Sequence, residues 1–121
     1  MRIHHVGICV PDVEKALDFY TRVLGFEQEE TINLGGVNYY FVGDGNISIE
    51  IEQSRTPGKN PYDNGIGHIA LAVEDLEALA DRLQQEQVTF LVPPSQFRPD
   101  RKIAFIEDPQ GIRLQLIEFL E

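Results

Sequence analysis

The apolar positions of the chain predict a strand, a helix and three further strands in the first half. Ile and Val are enriched over residues 3–10, and Pro11-Asp12 ends this run before apolar residues recur at helical spacing from Val13 to Leu24. Asp12 is the predicted N-cap of the helix, and Gly25 is the residue expected to close it. The three further strands are predicted over 26–32, 37–43 and 46–52.

The same order of elements restarts after a polar segment. Residues 54–65 contain two prolines and two glycines and are predicted to be a linker. A strand is then predicted over 67–73 and an amphipathic helix over 75–86. Strands near 88–92, at 102–107 and at 112–119 follow, with Pro93-Pro94 as an extended connector and 108–111 as a turn.

Each half of the pattern is too small to cover its own sheet. We therefore expect one domain over 1–121, with module one at about 1–53 and module two at about 66–121. Strand alternation assigns one set of residues to the helix-facing core. These are Val6, Ile8, Val10, Ile47, Ile49, Ile51, Ile69, Leu71, Val73, Ile112, Leu114 and Leu116.

Four polar residues on the opposite face occupy matching places in the two modules. His5 and His68 are 63 positions apart, and Glu50 and Gln115 are 65 apart. The same face carries small residues, where a purely structural sheet would have Val or Leu, so we expect the sheet to curve around a cavity. These small residues are Gly7, Cys9, Ala70 and Ala72.

The chemistry of the four polar residues predicts a metal site. Imidazole, carboxylate and carboxamide groups suit one divalent ion, namely Ni, Co, Zn, Mn or Fe(II). Two histidines and Glu50 already form a minimal ligand set with open positions, so the residues alone leave it open whether Gln115 coordinates. His4 is expected to be a strand-start residue, because it lies on the helix-facing side, and Glu52 is expected to be a solvated carboxylate.

Composition narrows the classes of partner. The net charge of −10 argues against nucleic acid and anionic membranes, so a small-molecule substrate is expected. There is no apolar run long enough to span a bilayer and no leader, and the single cysteine fits a reducing compartment, so the cytoplasm is predicted. The basic cluster at 98–102 favours a solvated loop. The candidate substrate-binding residues are Cys9, Arg98, Arg101, Lys102 and Arg113.

At these residues the sequence resembles the vicinal oxygen chelate superfamily, which includes glyoxalase I, methylmalonyl-CoA epimerase and bleomycin-resistance proteins. The most specific segments are His5-Val6-Gly7-Ile8, Asp18-Phe19-Tyr20-Thr21-Arg22-Val23-Leu24-Gly25-Phe26, Gly67-His68-Ile69-Ala70-Leu71 and Phe105-Ile106-Glu107-Asp108-Pro109-Gln110-Gly111. The resemblance covers the whole chain. It implies an α+β fold in which two βαβββ modules form a curved eight-stranded mixed sheet around a divalent metal, with ligands at His5, Glu50, His68 and Gln115.

Within the superfamily, the chain is most similar to bacterial glyoxalase I, whose ligands are His, Glu, His and Glu. Gln115 departs from that set, because an amide cannot act as a base near neutral pH. In methylmalonyl-CoA epimerase the corresponding ligand set looks like His, Gln, His and Glu, so the family tolerates glutamine at one of the two positions that match Glu50 and Gln115. We therefore interpret Glu50 as both ligand and catalytic base, with the two roles mirrored between the modules.

The resemblance implies a metal-dependent glyoxalase-like lyase or isomerase that acts on a small hydroxy-carbonyl or hemithioacetal substrate. A CoA-thioester epimerase is the alternative with the same proton chemistry. A metal-free drug-binding resistance protein is the alternative of another class, and an oxygen-activating Fe(II) enzyme ranks lower still. Relatives of this length are usually homodimers, so a homodimer is expected, with the metal site either within one chain or shared between two.

Overall fold

The computed structural model describes residues 1–55, 65–107, 109 and 112–121. The linker predicted over 54–65 and the turn predicted over 108–111 lie mostly outside the described residues. The strands are β1 (Arg2–Val10), β2 (Glu27–Leu34), β3 (Val37–Gly43), β4 (Ser48–Gln53), β5 (Gly65–Ala72), β6 (Thr89–Arg98), β7 (Arg101–Glu107) and β8 (Arg113–Phe119). The helices are α1 (Val13–Asp18), which continues as a π-helical turn (Phe19–Val23), and α2 (Leu76–Gln85).

The eight strands belong to one mixed sheet with the order β2-β3-β4-β1-β5-β8-β7-β6. In each module the first strand pairs in parallel with the last, as β1 with β4 and β5 with β8. The other pairs within each module are antiparallel. The prediction of an α+β fold with two βαβββ modules and an eight-stranded mixed sheet is therefore confirmed.

Contacts divide the chain into two compact units that nearly coincide with the modules. The N-terminal unit comprises residues 5–67, and the C-terminal unit comprises 68–121 together with 1–4. The expectation of a single domain over 1–121 stays a prediction. Neither helix in the described residues is long and apolar enough to cross a membrane.

Equivalent side chains begin the two helices. Asp12 and Asp75 are the N-caps, and each accepts a hydrogen bond of 3.1 Å from the backbone N–H three residues further on. The first helical N–H groups donate to Gln53 at 3.4 Å and to Glu118 at 2.8 Å. Because Gln53 and Glu118 are 65 positions apart, like Glu50 and Gln115, the repeat extends to the way each helix is attached to its sheet.

The first helix differs from the continuous helix that its apolar spacing predicts. The Thr21 hydroxyl donates to the Leu17 carbonyl at 2.6 Å, and a side chain that bonds this carbonyl competes with the regular backbone ladder. The turn then widens, so that the Leu24 N–H donates to the carbonyl of Phe19, five residues earlier, at 3.0 Å. Gly25 follows with φ of +84°, which confirms it as the left-handed residue that closes the helix.

The observed ends of three strands correct two predictions, the connector at Pro93-Pro94 and the core positions of Ile47 and Ile112. Strand β6 runs through Pro93-Pro94, which the sequence pattern treats as a connector. Both prolines fit here because β6 is an edge strand and its pairing with β7 shifts register between Val92 and Ser95, so neither missing N–H interrupts a regular ladder. Ile47 and Ile112 are 44% and 52% exposed rather than in the core, because β4 and β8 begin only at the following residues.

A compact apolar cluster fills the space between α2 and its strands. Its fully buried members are Leu76, Leu79, Ala104, Ile106 and Leu116. Leu71, Val73 and Leu114 pack against the cluster from the predicted core face. Strand alternation therefore identified the helix-facing side of β5 and β8 correctly.

Replacing Leu76 by alanine should destabilise the protein by about 2–5 kcal/mol, because the side chain is fully buried and leaves a cavity. Leu91→Ala makes the same change at an exposed position of β6 and should alter the free energy of unfolding by less than about 0.5 kcal/mol. Urea denaturation of both variants measures the difference. Equal effects of the two substitutions would contradict the assigned core.

Candidate metal centre

His5 and Glu50 form the first ligand pair, on β1 and β4 of the N-terminal unit. His5 is 1% exposed and Glu50 is buried, with the His5 Nε2 atom 3.5 Å from Glu50 Oε2. The Phe41 ring on β3 meets the His5 ring edge-on, at 5.2 Å between centroids and 87° between planes. A carboxylate buried beside an imidazole and an aromatic ring is unusual in a purely structural sheet, because the charge loses its hydration.

His68 and Gln115 form the second ligand pair, on β5 and β8 of the C-terminal unit. Gln115 is buried and His68 is mostly buried. The Phe105 ring on β7 meets the His68 ring edge-on, at 5.8 Å between centroids and 81° between planes. The second pair thus has the same aromatic neighbour as the first, with a carboxamide in place of the carboxylate.

The two ligand pairs share one strand register. Glu50 lies opposite Gly7, which is two residues after His5, and opposite Phe41 on its other side. Gln115 lies opposite Ala70, which is two residues after His68, and opposite Phe105 on its other side. Gly7 and Ala70 are buried, and neither carries a side chain larger than a methyl group. The repeat seen in the sequence is therefore a repeat of local geometry.

The surroundings of His68 keep its imidazole neutral. Burial first, and then the positive charge of Arg113, lower the pKa of His68 from 6.5 to about 4, while the Gln115 side chain acts in the opposite direction. A neutral imidazole retains the nitrogen lone pair that coordinates a metal. This pair is thus ready to bind a cation at neutral pH.

Gln115 presents a buried side-chain oxygen beside His68. Among the described residues, no donor forms a hydrogen bond with Gln115 Oε1. Leaving such an atom buried and unsatisfied costs about 1–3 kcal/mol, and coordination of a cation would remove that penalty. His5, Glu50 and His68 each offer a ligand atom of a type that could hold a metal ion. The residues present therefore fit a divalent ion with nitrogen and oxygen ligands.

The two arginines of the basic cluster at 98–102 contact an aspartate of the same hairpin. Arg98 and Arg101 both bind Asp100, at 3.3 Å and at 3.0 Å. Their hydrogen bonds and charges, those of Arg101 first, lower the pKa of Asp100 to about 2. Arg101 is buried, with its guanidinium 5.1 Å from the centroid of the Phe119 ring. These contacts account for Arg98 and Arg101 without a substrate.

The other candidate substrate-binding residues differ in their relation to the ligand pairs. Arg113 affects the pKa of His68, so its charge acts on the second pair. Lys102 is half-buried on β7, opposite Glu118. Cys9 is half-buried two residues beyond Gly7. Their predicted roles in substrate binding stay predictions.

His4, expected to be a strand-start residue, lies in β1 with its ring 4.9 Å from that of Phe119.

The sequence pattern gave no role to Phe41 and Phe105, although each one contacts a candidate ligand. A signal was present, because the two phenylalanines are 64 positions apart. That spacing lies between the 63 of the histidines and the 65 of Glu50 and Gln115. Aligning the two modules along their whole length, instead of at the polar residues alone, would have identified the aromatic neighbours.

Known proteins similar to this chain fall into one group. The Glyoxalase/Bleomycin resistance protein/Dioxygenase superfamily matches residues 2–116. A probable lactoylglutathione lyase of Synechocystis sp. is 34% identical over 125 residues, which cover 98% of this chain and 95% of that protein. A lactoylglutathione lyase of Escherichia coli O157:H7 is 35% identical over 126 residues, which cover 98% of this chain and 93% of that protein.

Solved structures share the fold at lower sequence identity. A methylmalonyl-CoA epimerase from Mycobacterium tuberculosis has a TM-score of 0.84 and 22% identity, over 99% of this chain and 89% of that one. A hypothetical protein from Bacillus halodurans C-125 also has a TM-score of 0.84, with 23% identity, over 99% of this chain and 95% of that one. At this identity the similarity shows the fold and nothing further.

The low pKa of His68 can be measured by NMR titration of the metal-free protein. The imidazole resonances should titrate with a midpoint near 4, because burial and Arg113 both oppose protonation. Arg113→Gln should raise the midpoint by removing the positive charge, whereas Arg82→Gln, at an exposed arginine of α2, should leave it unchanged. A midpoint close to the ordinary value of 6.5 would contradict the described surroundings.

Proposed function

The chain belongs to the Glyoxalase/Bleomycin resistance protein/Dioxygenase superfamily, and we propose that it is a metal-dependent lyase or isomerase of the glyoxalase I type. The observation that carries the proposal is the strand register that the two pairs share. In each pair, the strand that carries the histidine lies beside the strand that carries a buried oxygen ligand. The relatives named lactoylglutathione lyase, at 34% and 35% identity over nearly the whole chain, support the same reaction class.

In this proposal His5, Glu50, His68 and Gln115 hold one divalent ion, namely Ni, Co, Zn, Mn or Fe(II). The buried oxygen of Gln115, which accepts no hydrogen bond within the described part of the chain, and the neutral imidazole of His68 support their part as ligands. When bound, such an ion supplies Lewis acidity to two neighbouring oxygens of the substrate. A homodimer in the cytoplasm, with the two ligand pairs drawn from one chain or from two, stays a prediction.

Glu50 is the proposed base. It is the carboxylate member of the two equivalent oxygen ligands, and the amide of Gln115 cannot accept a proton near neutral pH. The substrate is a hydroxy-carbonyl compound or a hemithioacetal. Glu50 takes the proton from the carbon that bears the hydroxyl group and returns it to the neighbouring carbonyl carbon. One C–H bond breaks and another forms, while the hydroxyl proton moves to the former carbonyl oxygen, so the product is an isomer of the substrate and no oxidant is needed.

The surroundings of Glu50 suit a proton carrier. His5 Nε2 lies 3.5 Å from Glu50 Oε2, which fixes the orientation of the carboxylate. Glu50 and its cross-strand neighbour Phe41 are both buried, so little water reaches the carboxylate. Exclusion of water helps to keep the abstracted proton on the carboxylate until it is returned to the substrate.

A CoA-thioester epimerase is the second candidate. The ligand set of such an epimerase also combines two histidines with one carboxylate and one carboxamide. It ranks below the lyase, since the arginines at 98 and 101 that a CoA phosphate would use are bound to Asp100. A metal-free drug-binding protein ranks lower again. Such a protein gains nothing from a carboxylate buried beside an imidazole.

Glu50→Gln separates metal binding from proton transfer. Metal content should stay close to that of the original protein, because an amide oxygen still coordinates, whereas turnover of methylglyoxal with glutathione should fall by about 100-fold or more through loss of the base. Elemental analysis and activity are measured after addition of Ni, Co, Zn or Mn. Glu27→Gln, at an exposed position of β2, is the matched control and should change neither quantity.

Three results would count against parts of this account. Normal turnover by the Glu50→Gln variant would exclude the mirrored base. Epimerisation of methylmalonyl-CoA without turnover of methylglyoxal and glutathione would favour the second candidate. A protein that takes up no metal would overturn the proposed function and favour the metal-free binding protein.

A further inference from the structure

A second polar row lies next to the first ligand pair on the same three strands. Glu52 is two residues beyond Glu50 on β4, and it pairs with Cys9 on β1 and with Tyr39 on β3. Because side chains two residues apart point to the same face of a sheet, this row shares the face of His5 and Glu50. We call Cys9, Glu52 and Tyr39 the Glu52 row.

The carboxylate of Glu52 is largely shielded from water, although the sequence pattern predicted a solvated one. Its side chain is 21% exposed, with Cys9 Sγ donating to Oε2 at 3.8 Å and Arg55 Nη2 at 3.8 Å from Oε1. These are its contacts within the described residues; both are long and Arg55 is exposed, so together they balance only a small part of the lost hydration. Burial first, and then the charge of Glu52, raise the pKa of Tyr39, which keeps the phenol protonated.

The equivalent row of module two is entirely apolar. Ile117 on β8 lies opposite Ala72 on β5 and Ile103 on β7, in the register that Glu52 has with Cys9 and Tyr39. Ile117 is buried in this row. The same chain therefore builds the same part of the fold from isoleucine and alanine. Packing does not require a carboxylate at Glu52, and placing one there has an energetic cost that a ligand contact would explain.

We propose that the Glu52 row recognises the substrate, and that it selects a hydrogen-bond donor, an amine or a hydroxyl, at the end nearest to it. This inference rests on the proposed function. Rows two residues apart are separated by about 6.8 Å along a strand, so the donor lies a few bonds from the reacting carbons. A carboxylate or phosphate at this place would be repelled by Glu52. The expected substrate is therefore the adduct of a thiol that carries an amine or a hydroxyl group. The adduct of a short thiol that carries a carboxylate is not expected.

Binding of three hydroxamates to the metal-loaded protein tests the selection. Each binds a metal through two neighbouring oxygens: acetohydroxamate has no tail, β-alanine hydroxamate ends in an amine and succinic monohydroxamate ends in a carboxylate. In calorimetry the amine probe should bind at least about tenfold more tightly than the carboxylate probe, as expected for a charge-assisted contact. Glu52→Gln should reduce this ratio to about threefold or less, because the charge is lost. Acetohydroxamate should bind both proteins equally.

The controls separate recognition from structure and from the proposed function. Glu27→Gln removes an exposed carboxylate of β2 and should keep the preference for the amine. Weaker binding of acetohydroxamate to the Glu52→Gln variant would show a structural role and overturn the inference. Metal-loaded protein that binds amine and carboxylate probes equally, or prefers the carboxylate, would overturn the inference and leave the proposed function standing. Protein that takes up no metal and binds no probe would overturn both.

Discussion

The parallel pairing of each histidine strand with its oxygen-ligand strand is the constraint on which the rest of the structure depends. It places Glu50 opposite the residue two positions after His5, and Gln115 opposite the residue two positions after His68. A shift of one residue in either pairing would turn the oxygen ligand to the helix-facing side. Parallel pairing also requires a long connection between the paired strands, which in each module consists of one helix with an aspartate N-cap and two further strands.

Burial of polar groups ties the site to the stability of the fold. His5, Glu50 and Gln115 are all buried, and Gln115 Oε1 lacks a hydrogen-bond partner among the described residues. The Gln115 oxygen is unfavourable in the absence of a ligand, since it has lost its hydration. A metal that binds the folded chain and not the unfolded one would offset this penalty and raise the free energy of unfolding. Metal affinity and stability are then two measurements of one interaction.

Periodicity and repetition allowed most of the fold, and the strand face that carries the candidate ligands, to be predicted. Strand alternation assigned Leu71 and Val73 to the core and Glu50 to the opposite face, because side chains on a strand point alternately to its two sides. Interactions specific to single residues were less accessible. The first helix ends in a π-helical turn where the Thr21 hydroxyl bonds the Leu17 carbonyl, and Pro93-Pro94 fits β6 because that strand is at an edge and shifts register there. The half-buried state of Glu52 depends on contacts across three strands, which no local pattern records.

X-ray absorption spectroscopy of the cobalt-loaded protein tests the central claim, that two equivalent ligand pairs hold one ion. The account predicts one cobalt ion per chain with two imidazole ligands and the remaining ligands oxygen. His5→Ala and His68→Ala should each reduce the number of imidazoles to one, because each removes one pair's histidine. Two imidazoles remaining after either substitution, or two separate cobalt ions per chain, would contradict it.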